Sequence, residues 1–109
     1  MLILFMVFVI GNYQITYTHE LVHQTIYSTY GIASDIVINA QGVYMSVPHF
    51  PITIGDKEMT EINALNINND IVFYSITAFF NSLICLVFGI ILIIMFYLKQ
   101  TEVDKDEDI

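Results

Sequence analysis

Residues His19-Glu20-Leu21-Val22-His23 place two imidazoles four positions apart, with a carboxylate directly after the first. On a helix, positions i and i+4 share one face, so both rings can reach a single metal ion. A zinc ion used for catalysis takes three protein ligands and keeps one position open for water. Glu20 then has the place of a general base: it takes the proton of the zinc-activated water, hydroxide attacks a carbonyl carbon, and the proton passes to the departing amine. The chemistry is amide hydrolysis. Its missing part is a third ligand, for which the sequence offers Asp70 first and Glu61 second, with Glu58, Asp35 and His49 behind them.

The motif needs a helix to carry it. Met1 to Ile10 is an apolar block, and Ile15, Tyr17, Leu21, Val22 and Ile26 continue it to about Tyr30, where Gly31 is a natural stop. A secretory signal is the alternative reading of residues 1–10. No lysine or arginine precedes the block, however, and Gly11-Asn12-Tyr13 is a poor cleavage site. On the helix, Asn12, Thr16, His19, His23 and Tyr27 form one polar stripe at spacings of three and four. Such a stripe faces protein or water rather than lipid. Hydrogen bonding between helices is sufficient reason for Asn12 and Thr16, but a poor one for Glu20.

Ile71 to Leu98 is 28 residues without a charge. As a helix it is about 42 Å long, more than the roughly 30 Å of a bilayer's hydrocarbon, so a transmembrane helix is expected there. Asp70, Tyr74, Thr77, Asn81, Cys85 and Gly89 mark a second stripe on it. Its helical pattern begins near Lys57, with Met59, Ile62, Leu65 and Ile67, and Lys99 opens an acidic tail that is expected to fray. Between the helices, residues 34–39 and 43–47 are rich in β-branched and aromatic side chains, and Ala40-Gln41-Gly42 joins them as a tight turn. A β-hairpin is expected, with Ile52-Thr53-Ile54 as a short edge strand.

Composition narrows the function classes. Eleven acidic residues face three lysines, giving a net charge of −8, so nucleic acid is excluded as an expected partner. Cys85 is the one cysteine, which leaves no intrachain disulfide and no cysteine-based zinc cluster. A 56% hydrophobic content is high for a soluble domain of this length and points to a lipid bilayer as partner.

These residues resemble two groups of zinc metalloproteases. The helix bearing HExxH, then Gly31-Ile32, strands and a further apolar helix are similar in outline to the site-2-type intramembrane metalloproteases, over residues 1–54 and 71–98. The Asp-Gly motif from which that family takes its third ligand has no counterpart here, since Asp56 follows Gly55 in the opposite order. A closer resemblance is to small membrane-associated HExxH proteins of prokaryotes, especially archaea, through HELVHQTIYSTYGI at 19–32 and NNDIVFY at 68–74. Thermolysin-like enzymes supply their third ligand from an Asn-Glu pair on a second helix, and Asn69-Asp70 is similar in chemistry.

The sequence thus predicts a mainly α, two-helix integral membrane protein with a small β-hairpin, spanning helix 1–30, hairpin 35–54, helix 57–98 and tail 99–109. The expected function is zinc-dependent hydrolysis of a membrane or membrane-proximal polypeptide. Zn2+ would be held by His19, His23 and Asp70 or Glu61, and Glu20 would be the base. The alternatives are a zincin-like chain without turnover and a structural membrane protein that acts by helix packing.

Overall fold

The computed structural model describes residues 1–51 and 53–107. Two helices enclose a hairpin in sequence: α1 is Leu2–Thr29, β1 Ser34–Ile38, β2 Tyr44–Pro48 and α2 Asp56–Glu107. The chain is therefore mainly helical with one small antiparallel sheet. Both helices are long and apolar enough to cross a membrane.

Helix α1 has no proline or charged residue before Glu20 to interrupt it. It ends in a Schellman arrangement. The N–H of Ile32 donates to the Tyr27 carbonyl and that of Gly31 to the Ser28 carbonyl, both at 3.0 Å. Gly31 has φ +71, a left-handed value that a side chain disfavours, so glycine here turns the chain out of the helix. The turn buries Ile32, which with Ile62 of α2 makes up the fully buried apolar residues among those described.

The hairpin pairs Ser34 with Pro48 through Ile38 with Tyr44. Gly42, at φ +77, closes a turn in which its N–H donates to the Asn39 carbonyl at 2.9 Å. The Asn39 side chain stiffens the turn by accepting from the N–H groups of Gln41 and Val43. Of the expected edge strand at residues 52–54, Ile52 lies outside the described residues, Thr53 is in a turn and Ile54 has no regular structure.

Helix α2 returns alongside α1 and is 52 residues long. It does not stop at Lys99 as expected but continues to Glu107. Residues 99–107 contain neither glycine nor proline, and Lys, Gln and Glu are good helix formers, so nothing local ends the helix. The two polar stripes face each other: the Asn12 amide donates to Asn81 Oδ1 at 2.9 Å, and His19 and His23 meet Asp70 higher up. Gly11 lies against the Phe80 ring so closely that a Cβ there would collide with it. A side chain at this position would have to displace that ring.

Candidate metal centre

Helix periodicity sets the geometry of the site. His19 and His23, one turn apart on α1, have ring centroids 4.6 Å apart, and their Nε2 atoms converge at 3.0 Å. Asp70, from the facing side of α2, brings Oδ1 to 2.8 Å from His19 Nε2 and 3.0 Å from His23 Nε2. Three electron-rich atoms thus meet at one point, contributed by two helices and 51 residues of separation.

The other ring atoms determine what this convergence means. His23 Nδ1 donates to Asn66 Oδ1 at 2.7 Å, and the Asn66 amide in turn donates to the Tyr27 hydroxyl at 3.2 Å. With its proton on Nδ1, a neutral His23 presents a lone pair at Nε2, toward a carboxylate oxygen and another imidazole. A proton can bridge two of the three atoms but not all three. A cation in the centre satisfies them together. Around a tetrahedral zinc with bonds of about 2.0–2.1 Å, neighbouring ligand atoms stand about 3.3 Å apart. The observed triangle of 2.8–3.0 Å needs to open by only a few tenths of an ångström. The donor set, two imidazoles and a carboxylate with one ring fixed by an amide, is of the kind that holds zinc.

Glu20 is largely buried beside the histidines, and His19, Glu20 and His23 each offer a ligand atom within 4.8 Å of the others. Its Oε2 accepts the Ser46 N–H at 2.7 Å, while the Ser46 hydroxyl donates to the Glu20 carbonyl at 2.7 Å. This double tie fixes strand β2 over the motif. Oε1 lies 3.7 Å from His19 Nδ1. Phe73 stacks on the His19 ring at 5.0 Å and an interplanar angle of 22°, which holds the ring in place. Asn69, also buried, donates from its amide to the His19 carbonyl at 3.4 Å.

The remaining candidates lie elsewhere. Glu61 is not brought to the histidines: it is nine residues before Asp70, about 13 Å along α2, and accepts a hydrogen bond from the Tyr30 hydroxyl instead, at 3.3 Å. Partial desolvation and the Glu61 charge raise the Tyr30 phenol above its ordinary pKa. His49 and Asp35 pair with each other at 2.8 Å on the exposed base of the hairpin. Glu58 is exposed in the first turn of α2.

Sequence reasoning passed over Asn66, Ser46 and Phe73. Asn66 carried a usable signal, since it stands four residues before Asp70 and so shares its helix face. Ser46 carried none, because the seating of the hairpin on α1 is not written in either segment alone. The chain matches no family model, no curated protein and no solved structure.

Proposed function

We propose that this chain is a zinc-dependent peptidase embedded in a membrane by both helices, acting on a membrane or membrane-proximal polypeptide. The observation that carries this reading is the mutual approach of His19 Nε2, His23 Nε2 and Asp70 Oδ1 within 3.0 Å. Zinc bound there would supply a Lewis acid that polarises the scissile carbonyl and acidifies water.

The protein residues divide the other tasks. Asn66 holds the His23 proton at Nδ1, so that Nε2 faces the centre. Phe73 fixes the plane of His19. Glu20 Oε1, the carboxylate oxygen not engaged by Ser46, is the atom that accepts a proton from water and returns it to the leaving amine. Tyr44 and Ser46 occupy non-hydrogen-bonded positions of the hairpin, as the flanking bonds Asn39 N–H to Val43 and His49 N–H to Ala33 require. Their backbone groups therefore point away from β1; the Ser46 N–H is taken by Glu20, so a substrate in extended form would pair with that edge at Tyr44 alone.

One observation favours a structural reading. The Glu20 carboxylate is tied to the Ser46 backbone, which gives a buried acid a packing role without catalysis. Zinc content and cleavage together separate the two. Detergent-purified wild-type protein is expected to hold about one zinc per chain. His23→Ala is expected to lose it. Glu20→Gln is expected to keep the zinc and lose cleavage of a denatured membrane polypeptide by at least about 100-fold. Zinc-free wild-type protein, or undiminished cleavage by Glu20→Gln, would overturn the proposal.

A further inference from the structure

The hairpin covers the candidate metal centre without forming part of it. His19, His23, Asn66 and Asp70 all stand on the two helices, and neither strand brings a donor atom to the point where they meet. The strands rest on α1 and not on α2. Val43 and Tyr44 nevertheless wall a cavity of about 290 Å³ that reaches His19 and Glu20, whose side chains are only 13% and 12% exposed. The cover is held at few points. Among the described residues, Ser46 makes the hydrogen bonds between β2 and α1, both to Glu20 at 2.7 Å. At the tip, the Tyr44 ring meets Tyr13 and Tyr17 edge-on, with centroids 5.1 and 5.2 Å apart. A two-stranded sheet is marginally stable at best by itself, so its seat on α1 is what keeps it in place. The chain enters the hairpin through Gly31, at φ +71, and leaves it through Pro51 and Gly55, all three outside the helices and strands.

We infer that the hairpin is a strap across the metal centre, latched by Ser46 on Glu20 and turning on residues 30–33 and 49–55, and that a polypeptide reaches the centre when the strap lifts. The inference rests on the peptidase reading and names the regulation of that same site. An extended chain needs about 4.8 Å of clearance from a neighbouring strand. With β2 hydrogen-bonded to the Glu20 carboxylate at 2.7 Å, no chain fits between them. Lifting breaks the two Ser46 bonds and the Tyr44 edge contacts, and frees both Glu20 carboxylate oxygens. It leaves the His19–His23–Asp70 cluster and the Asn12–Asn81 pair in place, since these lie between the helices. An opening that gives up so few contacts costs less than global unfolding. The closed strap therefore withholds substrate rather than metal.

The test reads access to His19 directly. Full-length, zinc-free protein in detergent micelles is treated with diethyl pyrocarbonate, and carbethoxylation of each histidine is followed by mass spectrometry. His49, exposed at the base of the hairpin, is the internal reference. Ser46→Pro removes the latch donor but no bond of the β1–β2 ladder, because that N–H points away from β1. It is expected to speed His19 modification relative to His49 by at least about tenfold, and to hold zinc within a few-fold of wild type. Ser46→Ala, which loses only the hydroxyl bond, is expected to speed modification about threefold, and it carries the test if the proline variant does not fold. Cleavage of a denatured membrane polypeptide is expected to rise in the same order. Unchanged His19 modification in both variants would overturn the inference. So would cleavage that falls while zinc is retained, because Ser46 would then be orienting Glu20 rather than barring the way, and so would loss of zinc by folded Ser46→Pro. Faster modification with no cleavage by any of the three proteins would overturn the peptidase reading and leave the hairpin as a cover on a metal site.

Discussion

The helix pair has two ends with opposite characters. Around Gly11, Asn12, Phe80 and Asn81 the contact is apolar and close, with one amide pair between the helices, and the Asn12 amide has two acceptors, the Phe8 carbonyl and Asn81 Oδ1. Around His19, His23, Asn66 and Asp70 the same two helices gather titratable groups, and the hydrogen-bonding possibilities are not exhausted among them. Polar residues at a helix interface normally serve as glue, and the Asn12–Asn81 pair fits that role. The His-His-Asp cluster is different, because a single Asp70 oxygen meets both Nε2 atoms, which also lie 3.0 Å from each other. The comparison shows that a polar stripe is diagnostic only when its protons are counted.

Matched substitutions at the two ends are the strongest way to break that contrast. Asp70→Ala is expected to weaken zinc binding more than about 100-fold, measured by competition with a fluorescent chelator, while Asn81→Ala leaves it unchanged. Equal effects would show that both ends are merely structural. Next in size, Asn66→Leu is expected to weaken zinc about 10- to 100-fold, because the His23 ring loses the acceptor that fixes its proton. Asn66→Asp, which keeps an acceptor, is expected to stay within a few-fold of wild type. At the other end, Gly11→Leu is expected to destabilise by about 1–3 kcal/mol through collision with Phe80, and Phe80→Ala to restore much of the loss in the double variant. Thermal unfolding in detergent reads both. Smallest of all, Asn12→Leu is expected to cost about 0.6 kcal/mol, with zinc content unaffected.

The same contrast explains what was legible in the residues alone. The two long helices, the hairpin turn at Ala40-Gln41-Gly42 and a polar stripe on each helix follow from local pattern, and the structure has all of them. Asp70 was nameable because a third acid on the opposite stripe was needed and it stood at the right end. Glu61 looked equivalent on charge, but its distance along α2 and its Tyr30 partner emerge only once the helices are in register. The reason for a buried Glu20 was also out of reach: Ser46 is 26 residues away, and its N–H faces α1 only because of the hairpin's register. The continuation of α2 past Lys99 was misjudged from charge, although charge alone does not end a helix that lacks glycine and proline.

The uninterrupted α2 has a consequence for the depth at which the proposed metal site would stand. From Asp70 to Lys99 it is one unbroken helix of 29 residue steps, about 43 Å. With Lys99 at one face of a hydrocarbon layer roughly 30 Å thick, the Asp70 carboxylate stands about 13 Å clear of the other face, just outside a headgroup layer of about 5–8 Å. On that placement the helix would act as a ruler: thickening the bilayer by a few ångströms would bring the proposed site closer to the headgroups by the same amount. On the peptidase reading, lipid chain length would then control which bonds of a neighbouring polypeptide come within reach.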